Sequence, residues 1–206
     1  MRWRHPFAVL IPAGFASVLW ASAGVAGARD ARDWLGHQGY AEPTSIQIIA
    51  CHGYGCAMRA DIAIEGPWLA RATALLRANP GSAAAERRAL AEVVRLYMAH
   101  LTANFGGPDE PRSPPSLSGV PGQMDCLDVT ANVTSLFLVL EERGLLAKHR
   151  VEGPQSRGFF FDGRWPHYTA VLSASDGGRW AVDPWSRPGE PPDVLPLEKW
   201  SAEGGD

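Results

Sequence analysis

The spacing of hydrophobic and polar positions changes along the chain, and each change predicts an element. Ser45 to Cys51 is a short apolar run and Ala60 to Glu65 alternates, so both read as strands, with a tight turn between them. Trp68 to Ala78 has helical spacing. A stronger helix starts after Ser82, its N-cap. Leu90, Val93, Val94, Tyr97 and Leu101 form one face of it, while Arg87, Arg88, Glu92 and Arg95 are expected outside. Gly106-Gly107-Pro108 ends it. Residues 29–44 are polar without a clear period and read as loop. Residues 108–122 carry Pro108, Pro111, Pro114, Pro115 and Pro121 and no periodicity, so they also read as loop.

That loop runs into Gln123-Met124-Asp125-Cys126. From Cys126 to Arg143 the chain is apolar nearly all round: Val129, Val133, Leu136 and Leu140 form one row, with Leu127, Phe137, Leu138 and Val139 beside it. Such a helix is buried. Asp125 is its predicted N-cap, Asp128 supports its first turn, and Gly144 is the expected left-handed C-cap. Strands follow at 148–152, 157–162, 166–174 and 179–183, with Asp176-Gly177-Gly178 as a hairpin turn. The fold class is therefore α+β, with a buried helix packed on an antiparallel sheet. No internal repeat is present.

The first 28 residues have a different character. Arg2, Arg4 and His5 precede an apolar run from Phe7 to Trp20. Ala21-Ser22-Ala23 and Ala26-Gly27-Ala28 then fit the small-x-small cleavage rule. The expectation is a secretory signal peptide over 1–28, cleaved after Ala23 or Ala28, with no stable membrane insertion afterwards. The Ala/Arg/Gly/Pro-rich usage is of bacterial kind, which makes the destination the periplasm or the medium. The rest reads as one domain: a hairpin and helices over 29–119, then a core and tail over 120–206. The chain has 206 residues and a formal net charge of -3, with no basic stripe, which argues against nucleic acid as partner.

Export changes the meaning of the three cysteines, because an odd number leaves one unpaired. Cys51 and Cys56 enclose His52-Gly53-Tyr54-Gly55, whose glycines allow a tight turn, so these two are expected to form a disulfide. A loop this small adds about 2 kcal/mol. With His52 they also make a set of metal-ligand types, but no second ligand pair follows at finger-like spacing; no metal and no cofactor are expected. Asn132-Val133-Thr134 fits a glycosylation acceptor but falls inside the buried helix.

Cys126 is left with a free thiol in a helix first turn, where unpaired N–H groups and the helix dipole favour a thiolate. Asp125 next to it would raise the thiol pKa unless it turns to the helix amides. A lone core cysteine, without chemistry, is the plain alternative. His167 opens the strand His-Tyr-Thr-Ala-Val-Leu, and alternation puts His167, Thr169 and Val171 on one face. Asp183 ends the next strand before Pro184. Strict hairpin register does not set it opposite His167; a bulge, a longer turn or a reach from the strand end is required.

The helix opened by Cys126 and closed by Leu-Glu-Glu-Arg-Gly-Leu-Leu, the strand opened by His167, and the segment Gly178-Arg179-Trp180-Ala181-Val182-Asp183-Pro184 together resemble the core of the transglutaminase-like superfamily. The resemblance covers roughly residues 120–186, with 41 residues from Cys126 to His167 and 16 from there to Asp183. It implies a papain/transglutaminase-like core with Cys126, His167 and Asp183 as a catalytic triad. It also implies an acyl-enzyme on Cys126, formed from a peptide or protein amide and resolved by water or an amine. The oxyanion would be held by the Cys126 N–H and a side-chain donor, Gln123 or Trp165. Two alternatives stand beside it. One is an arylamine N-acetyltransferase-like enzyme, which resembles the same core and uses acetyl-CoA. The other is a transglutaminase-like module that binds or assembles without catalysis.

Overall fold

The computed structural model describes residues 29–78, 81–107, 112–158, 161 and 165–203. The signal-peptide reading of residues 1–28 lies outside them. Among the described residues no helix is long and apolar enough to cross a membrane.

Residues 29–37 form a helix, α1, where the sequence reading had a loop. Its apolar side is only one turn wide: Ala31 and Leu35, four residues apart, are both fully buried. A two-residue stripe is too short to register as a period, and the helix depends on the surface it packs on. Strands β1 (Gln47–His52) and β2 (Met58–Ala63) then pair antiparallel, from Gln47 opposite Ala63 to His52 opposite Met58. Helices α2 (Gly66–Ala78) and α3 (Ala83–Phe105) pack against each other. Ser82 caps α3 by accepting the Ala85 N–H at 3.1 Å, and Gly106 ends it at φ +88°. The predicted α3 face is buried, but Arg87 is not outside. Its side chain is 12% exposed and its guanidinium lies 3.6 Å from the centre of the Trp180 ring.

Helix α4 (Cys126–Glu142) is buried without interruption from Asp128 to Leu140. Asp125 is its N-cap, and Gly144 follows at φ +65°. One face of α4 meets β1 and another meets β3 (His149–Arg157) and β4 (His167–Ala174). With β5 (Arg179–Asp183) and β6 (Asp193–Pro196) these make a four-stranded antiparallel sheet in the order β3-β4-β5-β6. Of the separate strand expected over 157–162, Arg157 belongs instead to β3, Gly158 is outside any strand, and residues 159–160 and 162 lie outside the described ones. Strand β3 continues through Gly153-Pro154 to Arg157, shifting register between Glu152 and Gln155. A bulge absorbs the proline that read as a break.

Sheet alternation divides the core. Ala170, Leu172 and Val182 face the large cluster that also holds α1, α3 and α4 residues. Val171 and Ala181 point the other way, onto Leu197 and Trp200 of the short helix α5 (Leu197–Ala202).

Candidate active site

Cys126 occupies the first position of α4, and the sequence just after β1 fixes that end of the helix. Asp125 accepts the Asp128 N–H through Oδ1 at 2.8 Å and the Gly55 N–H through Oδ2 at 3.0 Å. Asp128, fully buried, accepts the Cys56 N–H at 2.6 Å and the Tyr54 N–H at 2.9 Å. The loop that supplies these amides is closed by the Cys51–Cys56 disulfide. It holds four consecutive positive φ values: Gly53 +81°, Tyr54 +71°, Gly55 +58° and Cys56 +58°. For Tyr54 and Cys56 that conformation costs on the order of 1–2 kcal/mol each. Three hydrogen bonds from the loop amides to the Asp125 and Asp128 carboxyls, each worth about 0.5–3 kcal/mol with the charge of the acceptor, offset it.

The same loop braces the approach to the cysteine. The Gly53 N–H donates to Gln123 O at 2.7 Å, and the Gly119 N–H to Gly53 O at 3.1 Å. Asn132, one face down α4, pairs with the end of β1 as a strand would: its Oδ1 accepts the Cys51 N–H and its Nδ2 donates to Cys51 O, both at 2.8 Å. Asp128 therefore does more than support a helix dipole. Burial, then the charge of Asp125, pushes its carboxyl up to about 7 against the pull of the Cys56, Tyr54 and Asp125 amides.

His167 and Asp183 come together as the third of the sequence options, a reach from the strand end. Val182 pairs with Ala170, which leaves Asp183 one step beyond, diagonal to His167 on the same face. His167 Nε2 and Asp183 Oδ2 are 2.6 Å apart. Trp200 Nε1 donates to the same oxygen at 3.0 Å, and the Trp185 N–H to Oδ1 at 3.3 Å. Burial alone would raise the Asp183 carboxyl, but these donors, His167 foremost, hold it below the usual carboxylate range. The Trp185 and Trp200 rings flank the imidazole, with centroids 4.8 and 5.7 Å away. His167 Nδ1 is buried and has no hydrogen-bond partner among the described residues.

The Cys126 thiol is not hydrogen-bonded to that nitrogen. It faces the N–H of Tyr168, the residue next to His167. Burial pushes the thiol up to about 11. The Asp125 and Asp183 charges add to the rise, and the Tyr168 and Cys126 amides oppose it. The resting thiolate expected from the helix position is corrected: desolvation outweighs the helix amides. Alkylation of Cys126 by iodoacetamide is accordingly expected to be slow at neutral pH and to climb toward a midpoint near 11. Mass spectrometry of the tryptic peptide reads this directly, and a rate already at its plateau at pH 7 would contradict it.

Of the proposed oxyanion donors, Gln123 is buried three residues before Cys126, whereas Trp165 is 62% exposed and lines a pocket. Sequence reading missed Tyr40. It is 8% exposed, its ring centroid is 5.8 Å from that of Trp34, and Trp34 in turn is 6.1 Å from Tyr168. Burial, then the nearby charges of Asp128, Asp125 and Cys126, keep the Tyr40 phenol protonated, so it remains a donor. Nothing in the polar run 29–44 announced it.

The pocket has a volume of about 360 Å³. His167 and Asp183 line it with Arg112, Arg157, Trp185 and Trp200; Cys126 and Gln123 are not among the lining residues. Among the described residues no group of three His, Cys, Asp or Glu side chains is arranged to hold a metal ion. No family model, no curated protein and no solved structure matches the chain.

Proposed function

We propose that this protein is an exported cysteine-nucleophile enzyme with a transglutaminase-like core, acting on amide bonds through an acyl-enzyme on Cys126. The observation that carries the reading is the buried His167–Asp183 pair, 2.6 Å apart, whose other imidazole nitrogen is unpartnered one residue from the amide that meets the Cys126 thiol. A structural histidine finishes its hydrogen bonds; a general base leaves one nitrogen open for the proton it takes.

The roles follow from this arrangement. Asp183 accepts the Nε2–H of His167, which leaves Nδ1 as the basic nitrogen. Because the thiol is neutral at rest, His167 takes its proton as the sulfur attacks the amide carbon. The C–N bond then breaks, His167 gives that proton to the departing amine, and the acyl group stays on sulfur. Water or an amine resolves the thioester. The Cys126 N–H and a donor from Gln123 or Tyr40 hold the oxyanion. The disulfide supports export, since such bonds persist in oxidising compartments, and the periplasm is the proposed location.

The test is acylation by p-nitrophenyl acetate, followed by mass spectrometry. The expected result is one acetyl group on Cys126 and a His167→Ala rate lower by about 10²–10⁴-fold. Acetylation no faster than in the unfolded chain, and equal in the variant, would sink the enzyme reading in favour of a binding or assembly module. Acetylation that requires acetyl-CoA would favour the acetyltransferase alternative.

A further inference from the structure

The pocket next to His167 contains features that amide chemistry alone does not require. Arg157 ends β3 directly opposite His167 in the strand register. Its side chain is only 11% exposed, and its guanidinium is fixed in place. Nη1 donates to Trp200 O at 2.5 Å, and the guanidinium carbon lies 4.5 Å from the centre of the Trp200 ring. Among the described residues Nε, buried, has no hydrogen-bond partner, so the donors of the guanidinium are not all used. Burying a cation is costly unless an anion meets it. Glu203 approaches Arg157 at 3.6 Å, but that carboxylate is 43% exposed and lies just past the end of α5. A pair this loose and wet adds little. The other two acids on the wall already have partners, Asp193 in Arg187 and Asp183 in His167. Arg112 adds a second guanidinium to the lining.

We infer that this pocket is a carboxylate-recognising subsite for the amine partner of the reaction, with Arg157 as its anchor and Glu203 as the resident carboxylate that the ligand displaces. The assignment to the amine side rests on the proposed function. The acyl group stays on Cys126, which does not line the pocket, and the amine leaves or enters at His167, which does. A guanidinium with a fixed plane prefers a bidentate carboxylate over a single distant oxygen. Trp185, only partly buried, supplies a flat wall, and about 360 Å³ suits one or two amino-acid residues. The ligand class is an amino acid or short peptide whose carboxylate lies within a residue or two of the reacting nitrogen.

Binding can be measured without catalysis. Diglycine and its C-terminal amide glycylglycinamide, which lacks the carboxylate, would be titrated into the Cys126→Ala protein by calorimetry. Diglycine is expected to bind about ten-fold or more tightly than the analogue, the discrimination of one charged hydrogen bond. Arg157→Gln is expected to erase that ratio, and Glu203→Gln to tighten diglycine binding by removing the competitor. Circular dichroism checks that each variant is folded; should Arg157→Gln unfold, the Glu203→Gln result decides alone. Equal affinity for the two dipeptides, or a Glu203→Gln protein with unchanged diglycine affinity, would overturn the inference. Because none of these arms uses the thiol, their failure is distinguishable from a failure to form the acyl-enzyme.

Discussion

Replacing Asp183 with asparagine is expected to slow acetylation of Cys126 by p-nitrophenyl acetate by about 10³–10⁴-fold with the protein still folded. Oδ2 of Asp183 accepts from both His167 Nε2 and Trp200 Nε1, and Oδ1 accepts the Trp185 N–H. An asparagine has one acceptor oxygen for these donors. If its NH₂ group faces His167, the imidazole must present Nε2 as an acceptor and carry its proton on Nδ1, which destroys the base. The Asp183 carboxyl is held below the usual range, so its contribution to stability is complete above the unfolded value of about 3.9. It disappears as pH falls through the depressed native value. The loss of rate should therefore persist across the neutral range rather than at one pH. Stopped-flow release of nitrophenolate between pH 6 and 9, with urea unfolding beside it, makes the measurement. An Asp183→Asn rate within ten-fold of the parent would remove the carboxylate from the mechanism.

Glu86→Ala is expected to cost about 3–5 kcal/mol, enough to leave much of the protein unfolded. Glu86 lies in the first turn of α3, yet it is 1% exposed. Its carboxylate accepts the Ala147 N–H at 2.9 Å, the Lys148 N–H at 3.0 Å and the fully buried His149 Nδ1 at 2.9 Å. It thus joins α3 to the start of β3, and removing it leaves three donors without a partner. Burial would raise this carboxyl, but the His149 and backbone hydrogen bonds lower it. The sign follows: Glu86 stabilises fully above the unfolded value of about 4.3, and the advantage of the parent over Glu86→Ala shrinks as pH falls below it. Urea midpoints at pH 7 and pH 4 test both parts. A cost under about 1 kcal/mol at pH 7 would show that water satisfies the three donors.

Neither Glu86 nor Asn132 was legible beforehand. A carboxylate in a helix first turn usually faces solvent, and an Asn on an apolar helix has no period to announce it. Both are placed by groups more than sixty residues away in sequence: Glu86 by the turn into β3, Asn132 by the end of β1. α1 was missed for the same reason, since its partners are distant: Trp34 meets Tyr168 of β4 and Arg32 reaches Glu142 of α4. Arg87 was misread because a helical face can be judged exposed from spacing, whereas Trp180 arrives from the far hairpin.

The sequence by itself determined what depends on near neighbours: the α3 face and its Ser82 cap, α4 with Asp125 ahead of it, the Asp176-Gly177-Gly178 turn, and the Cys51–Cys56 bridge around two glycines. These are set by side-chain period, local hydrogen bonds and backbone freedom within a few residues. Only the tertiary structure decided where the carboxylates are used and in what state the thiol rests. Asp128 turns to the stapled loop, Asp183 reaches diagonally to His167, and burial lifts Cys126 to about 11 despite its place at a helix start. Desolvation and pairing depend on every element that closes over a group, and no stretch of sequence around that group contains them.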